Sequence, residues 1–136
     1  MSEKAKDFEP INFTISGDPR TKKNSSMIIK SRTGRAFLVP SKQYKEYEVS
    51  FKKQALEQGV YDLMIDRSVN ISCTYYMHTR RKVDLTNLLS ATMDCMVASK
   101  IIADDNCKIA AANDGSRVKY DKENPRVEVE ITAFFE

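Results

Sequence analysis

Hydrophobic and polar positions change period several times along the chain, and each change marks an element. Ile11, Phe13 and Ile15 alternate with Asn12 and Thr14, the period of two expected of a half-buried strand. Gly17-Asp18-Pro19 stops the alternation with a turn signal. Two short strands follow, Met27 to Lys30 and Ala36 to Val39, with Thr33-Gly34 at the tip of the hairpin or flap between them. The period then lengthens. Tyr44, Tyr47, Phe51 and Ala55 recur at helical spacing, which predicts a helix with one buried stripe. Ser41 stands where an N-cap is needed and Gly59 where the chain must leave in a left-handed conformation.

Ser68 to His78 is the clearest strand. Val69, Ile71, Cys73, Tyr75 and Met77 face one side; Asn70, Ser72, Thr74, Tyr76 and His78 face the other. A second helix is predicted over about Leu85 to Lys100, a further strand near Cys107 to Ala112, and a last alternating strand over Val127 to Ala133. Two helices and five or six strands in mixed order predict an α+β fold of two layers, a mixed sheet packed against two helices. Residues 11–136 read as one domain, preceded by a polar tail over residues 1–10.

Composition narrows the class. The chain has 136 residues, 41% of them hydrophobic, enough for one core without disulfide or metal. A net charge of +3 excludes a histone-like polycation. No apolar run is long enough for a membrane helix, and the first ten residues lack the apolar stretch of a signal peptide. Cys73, Cys95 and Cys107 are an odd number without a C-x-x-C pair, and His78 is the sole histidine. Free thiols in a reducing cytoplasm are the expected state.

The distribution of charge says more than its sum. Arg20 to Arg35 carries six cations (Arg20, Lys22, Lys23, Lys30, Arg32, Arg35) and no acid. Arg80-Arg81-Lys82 follows the long strand. Lys42 and Lys45 occupy the first turn of the first helix, where the dipole disfavours cations. They read either as solvated lysines or as part of an anion site.

Acidic residues gather around the second helix. Asp84 precedes it, where exposed amides favour a carboxylate. Wound at 100° per residue, Leu85, Leu88, Leu89, Thr92, Cys95 and Met96 form one stripe, while Asn87 and Asp94 lie opposite with Ala91 and Ala98. Small residues there predict a close approach by something. Asp104-Asp105-Asn106 follows the helix. Adjacent carboxylates suit a hard divalent cation such as Mg²⁺, which takes one or two of them plus waters and phosphate oxygens. Acids in turns also serve as N-caps and Asx-turns, and spacing alone leaves both readings open. Asp84 could join Asp104-Asp105 only if the chain doubles back after Lys100.

The run Asp84-Leu85-Thr86-Asn87-Leu88, then Asp94, then Asp104-Asp105-Asn106 resembles the RusA family of Holliday junction resolvases, whose motif is D-x-D-N-L, a further D, then a D-D pair. Gly17-Asp18-Pro19-Arg20-Thr21-Lys22-Lys23-Asn24-Ser25 is similar to the family's G-x-P-x-T-K-K-N-S segment, and Pro40-Ser41-Lys42-x-Tyr44 to its P-S-K-x-Y helix start. The resemblance spans about residues 11–134. It implies a RusA-like fold and a homodimeric endonuclease of DNA recombination and repair that cuts branched DNA, a four-way junction, with Mg²⁺ or Mn²⁺. Asp84 and Asp105, then Asp104, would hold the metal; Asp94 and Asn87 would stand behind them or face a partner subunit. Lys22, Lys23, Lys42, Arg80 and Arg81 would contact phosphates, with Arg32 and Arg35 on the flap. Two positions depart from the motif. Thr86 replaces its second acid and Ser90 a lysine common among relatives. D-x-T-N is a variant among phage-encoded relatives, so Thr86 need not mean inactivity, and the resemblance leaves a chromosomal or a prophage setting open. The same departures motivate an alternative, a dimeric branched-DNA-binding protein without catalysis.

Overall fold

The computed structural model describes residues 8–22 and 26–135. Seven strands and two helices follow in the order β1 (Ile11–Ser16), β2 (Ser26–Lys30), β3 (Ala36–Pro40), α1 (Lys42–Glu57), β4 (Val69–Met77), α2 (Leu85–Ala98), β5 (Ala110–Ala112), β6 (Arg117–Tyr120) and β7 (Arg126–Ala133). The main sheet runs β1-β7-β4-β5, and β6 also pairs with β4. β7 is antiparallel to both β1 and β4, whereas β5 and β6 run parallel to β4. β2 and β3 form a separate antiparallel hairpin with Lys30 opposite Ala36. The architecture is the expected mixed sheet of five strands with two helices.

Side-chain alternation sorts the sheet into a dry face and a wet face. Ile15, Ile71, Cys73, Tyr75, Val127 and Ile131 are fully buried, while Ser72, Thr74, Glu128 and Glu130 line an open polar surface on the other side. The buried stripe of α1, Tyr44, Tyr47, Phe51 and Ala55, covers the dry face; the Phe51 and Phe13 rings meet edge-on at 6.2 Å. Ser41 caps α1 by accepting a hydrogen bond from the Tyr44 N–H, as its position predicts. Of the tail expected over residues 1–10, residues 1–7 lie outside the described residues; Phe8 packs on the core beneath the Arg67 guanidinium.

α1 also closes the free edge of β1. The Gln58 side-chain amide accepts from the Thr14 N–H and donates to the Thr14 carbonyl; Gln54 does the same for Ser16. Two glutamines thus occupy the backbone groups that a neighbouring strand would otherwise take.

The two helix ends are alike. Gly59 follows α1 with φ +74°, and Lys100 follows α2 with φ +55°. Lys100 N–H bonds the Val97 carbonyl and Ile101 N–H bonds that of Met96, the paired bonds of a Schellman turn. The turn drives Ile101 and Ile102 into the core, where Ile102 bridges Ile65 in the segment leading into β4. α2 therefore runs antiparallel to β4, with its last turn near the start of that strand.

Candidate active site and nucleic-acid surface

Asp84 is the N-cap of α2. Its backbone is extended and its Oδ1 accepts the Thr86 N–H at 2.9 Å. Thr86 is inside the first turn, so the position replacing the second motif acid is not the cap. One oxygen of the exposed Asp84 carboxylate is committed to the helix, and Oδ2 has no hydrogen bond among the described residues.

A cleft of about 300 Å³ opens beside this helix start. Asp18, Pro19, Arg20, Thr21, Met77, Thr79, Arg81, Lys82 and Val83 line it. The turn after β1 and the loop after β4 form its walls, and Asp18 ties them together by accepting the His78 N–H at 2.9 Å. Among the described residues, Arg20, Arg81 and Lys82 form no ion pair, so three cations converge on a groove whose one lining carboxylate, Asp18, accepts the His78 N–H. Phosphates fit such a groove. Arg20 and Lys82 belong to the cation runs in the sequence, but only the fold brings those runs together.

The acidic turn lies elsewhere. Asp104 Oδ1 accepts the Asp105 N–H and Oδ2 accepts the Asn106 side-chain amide. Those hydrogen bonds, that from Asn106 first, hold the Asp104 carboxyl below its ordinary range. Asn106 in turn accepts the Lys108 N–H, and its carbonyl takes the Ile109 and Ala110 N–H groups at the start of β5. Because Ala110 pairs with Val69, the turn sits at the beginning of β4. Asp84 stands beyond the other end of that strand. The 14 residues of α2 separate the two acidic groups by about 21 Å along the helix. The chain after Lys100 does not double back toward Asp84, because the buried Ile101–Ile102 pair holds it at Ile65. Among the described residues, no group of three or more His, Cys, Asp or Glu is placed to hold a metal ion. Asp104 orders its own turn, and the exposed Asp105 carboxylate lies beside it.

Several sequence expectations take a different form. Asp94 forms an ion pair with Lys22 at 3.2 Å, so these two residues tie α2 to the segment after β1. Ala91 is buried rather than presented to a visitor; the close approach predicted by the small residues at this position is made inside the protein. Asn87 is half-buried on the same side. Lys42 is exposed at the start of α1 and pairs loosely with Glu46 at 3.9 Å. Arg32 and Arg35 are exposed at the hairpin tip, as predicted. Lys23 lies outside the described residues. Arg80 stacks over the Tyr120 ring at 4.1 Å. The sequence reading omits β6 altogether; Arg117, Lys119 and Tyr120 on it are exposed. The alternation Arg117-Val118-Lys119-Tyr120 after Gly115 carries a strand signal, but four residues are too few to stand out.

A family profile described as Endodeoxyribonuclease RusA matches residues 16–132. The chain belongs to the RusA endodeoxyribonuclease family, whose nucleases act on Holliday junctions. A search of curated proteins returns no match. No described helix is long and apolar enough to cross a membrane.

Proposed function

We propose that the protein is a homodimeric, Mg²⁺-dependent endonuclease that resolves Holliday junctions and related branched DNA by paired nicks, with Mn²⁺ able to substitute. The RusA match over residues 16–132 carries this reading. The cleft beside Asp84, where Arg20, Arg81 and Lys82 outnumber the Asp18 carboxylate, supports it.

The donor chemistry fits a hard cation. Asp84 Oδ2, with no hydrogen bond among the described residues, and the Asp105 carboxylate are exposed oxygen donors, and Mg²⁺ needs only one or two carboxylates when waters and phosphate oxygens complete its shell. When bound, the cation supplies charge neutralisation of the phosphodiester and a water of lowered pKa. The protein's residues do the rest. Arg20, Arg81 and Lys82 hold the backbone in the cleft, the free amides at the start of α2 add positive potential, and the Thr86 N–H fixes the Asp84 carboxylate.

One chain places Asp84 and Asp105 at opposite ends of α2, so a dimer is part of the proposal. A two-fold axis crossing α2 sets two such helices antiparallel. Asp84 of each chain then stands at the end occupied by the partner subunit's Asp105. The result is two composite sites related by symmetry, matching the two nicks a four-way junction requires.

Thr86 and Ser90, together with the lack of a three-carboxylate cluster among the described residues, favour the second reading, a dimeric branched-DNA binder without catalysis. Incubating the purified protein with a synthetic four-way junction in Mg²⁺, in Mn²⁺ and in chelator decides between them. Symmetric nicks in either metal and none in chelator support the enzyme. Tight binding without nicking across both metal titrations supports the binder, and no affinity for branched DNA at low salt refutes both.

A further inference from the structure

β6 is an outer strand that pairs with β4 through Thr74–Met77 against Arg117–Tyr120. The register places Val118 and Tyr120 on the helix side of the sheet, level with Tyr75 and Met77. Tyr75 is fully buried there and shares a hydrogen bond with Thr92 of α2. One strand further out that cover ends, and Val118 and Tyr120 keep 39% and 38% of their surface exposed. Tyr120 neighbours Met77, which lines the basic cleft.

A guanidinium completes the arrangement. Arg80 Cζ lies 4.1 Å from the centre of the Tyr120 ring, contact distance for a stacked cation. The sheet contains a second pair of this kind, Arg126 over Tyr76 at 3.8 Å. There the arginine is bonded to both Asp121 and Glu128 and its side chain is only 17% exposed, so that pair is consumed by the fold. Arg80 has no ion pair among the described residues and is exposed.

With the Arg80 guanidinium over one face of the partly exposed Tyr120 ring, the pair presents a cation and an aromatic surface to solvent, both of which stack on bases. A nucleobase attached to a phosphate has the complementary character, and stacking on such a surface needs no particular base. In continuous duplex both faces of each base are covered by neighbours. Where a branch point interrupts the stack, a base is displaced at lower cost than within continuous duplex. Arg80 lies four positions before Asp84 in the chain, so a base held here keeps its own phosphate near the cleft.

We infer that Arg80 and Tyr120 form a stacking site for a base unstacked at the branch point of the DNA. The site rests on the branched-DNA reading above and adds the feature of the substrate that this chain recognises. Affinity of wild type, Tyr120→Phe and Tyr120→Leu is measured for a four-way junction, for the same junction with a single abasic nucleotide at each position flanking the exchange, and for a linear duplex. Tyr120→Leu is expected to weaken junction binding on the order of tenfold and duplex binding by less than about twofold, with Tyr120→Phe close to wild type. At one flanking position, removing the base is expected to cost the wild type a similar factor and Tyr120→Leu nothing further. Equal junction affinity for Tyr120→Leu and wild type, equal losses on junction and duplex, or additive losses at every abasic position overturn the inference while leaving the nuclease reading intact. If the wild type binds no branched DNA, both fall together. Unchanged circular dichroism and melting temperature of Tyr120→Leu confirm that a loss is not misfolding.

Discussion

Lys22 Nζ sits 3.2 Å from Asp94 Oδ2 and 5.9 Å from the centre of the Tyr44 ring. The pair binds the segment after β1 to α2 and removes one cation and one acid from the accessible charge of the site. Both side chains are more than a third exposed, so solvent screens the interaction. A double-mutant cycle with Lys22→Met and Asp94→Asn should return a coupling of about 0.2–1 kcal/mol in thermal or urea unfolding.

Arg81, by contrast, should act on DNA rather than on folding. Arg81→Ala should leave the melting temperature unchanged and weaken junction binding similarly for unrelated sequences. It should also reduce the slope of log affinity against log salt by about one. Lys22→Met should change that slope less, because its charge is already partnered. Salt titrations of the two variants against one labelled junction make the comparison.

Asp84 has two duties that substitution can separate. Asparagine caps a helix about as well as aspartate, whereas alanine costs about 1 kcal/mol. Asp84→Asn should therefore melt close to wild type and lose junction cleavage, while Asp84→Ala should lose both cleavage and stability. Melting curves and nicking assays on the two variants test the assignment.

Lys100 adopts φ +55° at the position where α1 uses Gly59. A side chain there is strained, and glycine removes the clash at the cost of a freer unfolded chain. Lys100→Gly should raise stability by up to about 1 kcal/mol, seen as a rise of a few degrees in melting temperature.

The same turn explains what could and could not be read from the sequence. Strands and helices whose one face is buried, such as Val69–Met77 and the Tyr44–Ala55 stripe, announce themselves by period, because burial selects apolar residues at every second or every third to fourth position. Ser41, Gly59 and Asp84 were legible as caps because only a few side chains serve there. β6 was not, since no burial imposes a pattern on Arg117–Tyr120. The path after Lys100 was illegible for another reason. Whether Asp105 returns to Asp84 depends on Ile101 and Ile102 finding Ile65, a tertiary contact with no local signature. The pairing of Lys22 with Asp94 is of the same kind.

Burial also sets a prediction for alkaline pH. It pushes the Cys73 and Cys95 thiols up to about 12 from an ordinary 9.0, and holds the Tyr44, Tyr47 and Tyr75 hydroxyls above their ordinary value. Each folded-state value exceeds the unfolded one. Below about pH 9 the groups are neutral in both states and their contribution is fully present. As pH rises past that point the unfolded chain ionises and the folded one does not. Stability should stay level to about pH 9 and then fall, by up to about 1.4 kcal/mol per pH unit for each titrating group. Melting temperatures between pH 8 and pH 11 check the curve. At pH 8 a thiol reagent should modify the exposed Cys107 and spare Cys73 and Cys95 until denaturant is added.

The composite site is tested most directly by mixing two inactive proteins. Asp84→Asn and Asp105→Asn, each purified and each unable to nick a four-way junction in Mg²⁺, are combined and allowed to exchange subunits. In a mixed dimer one composite site has lost both acids and the other has kept both. Nicking at one strand should return in the mixture and be absent in chelator. A mixture as inactive as its parts, under conditions where exchange is demonstrated, would contradict the account.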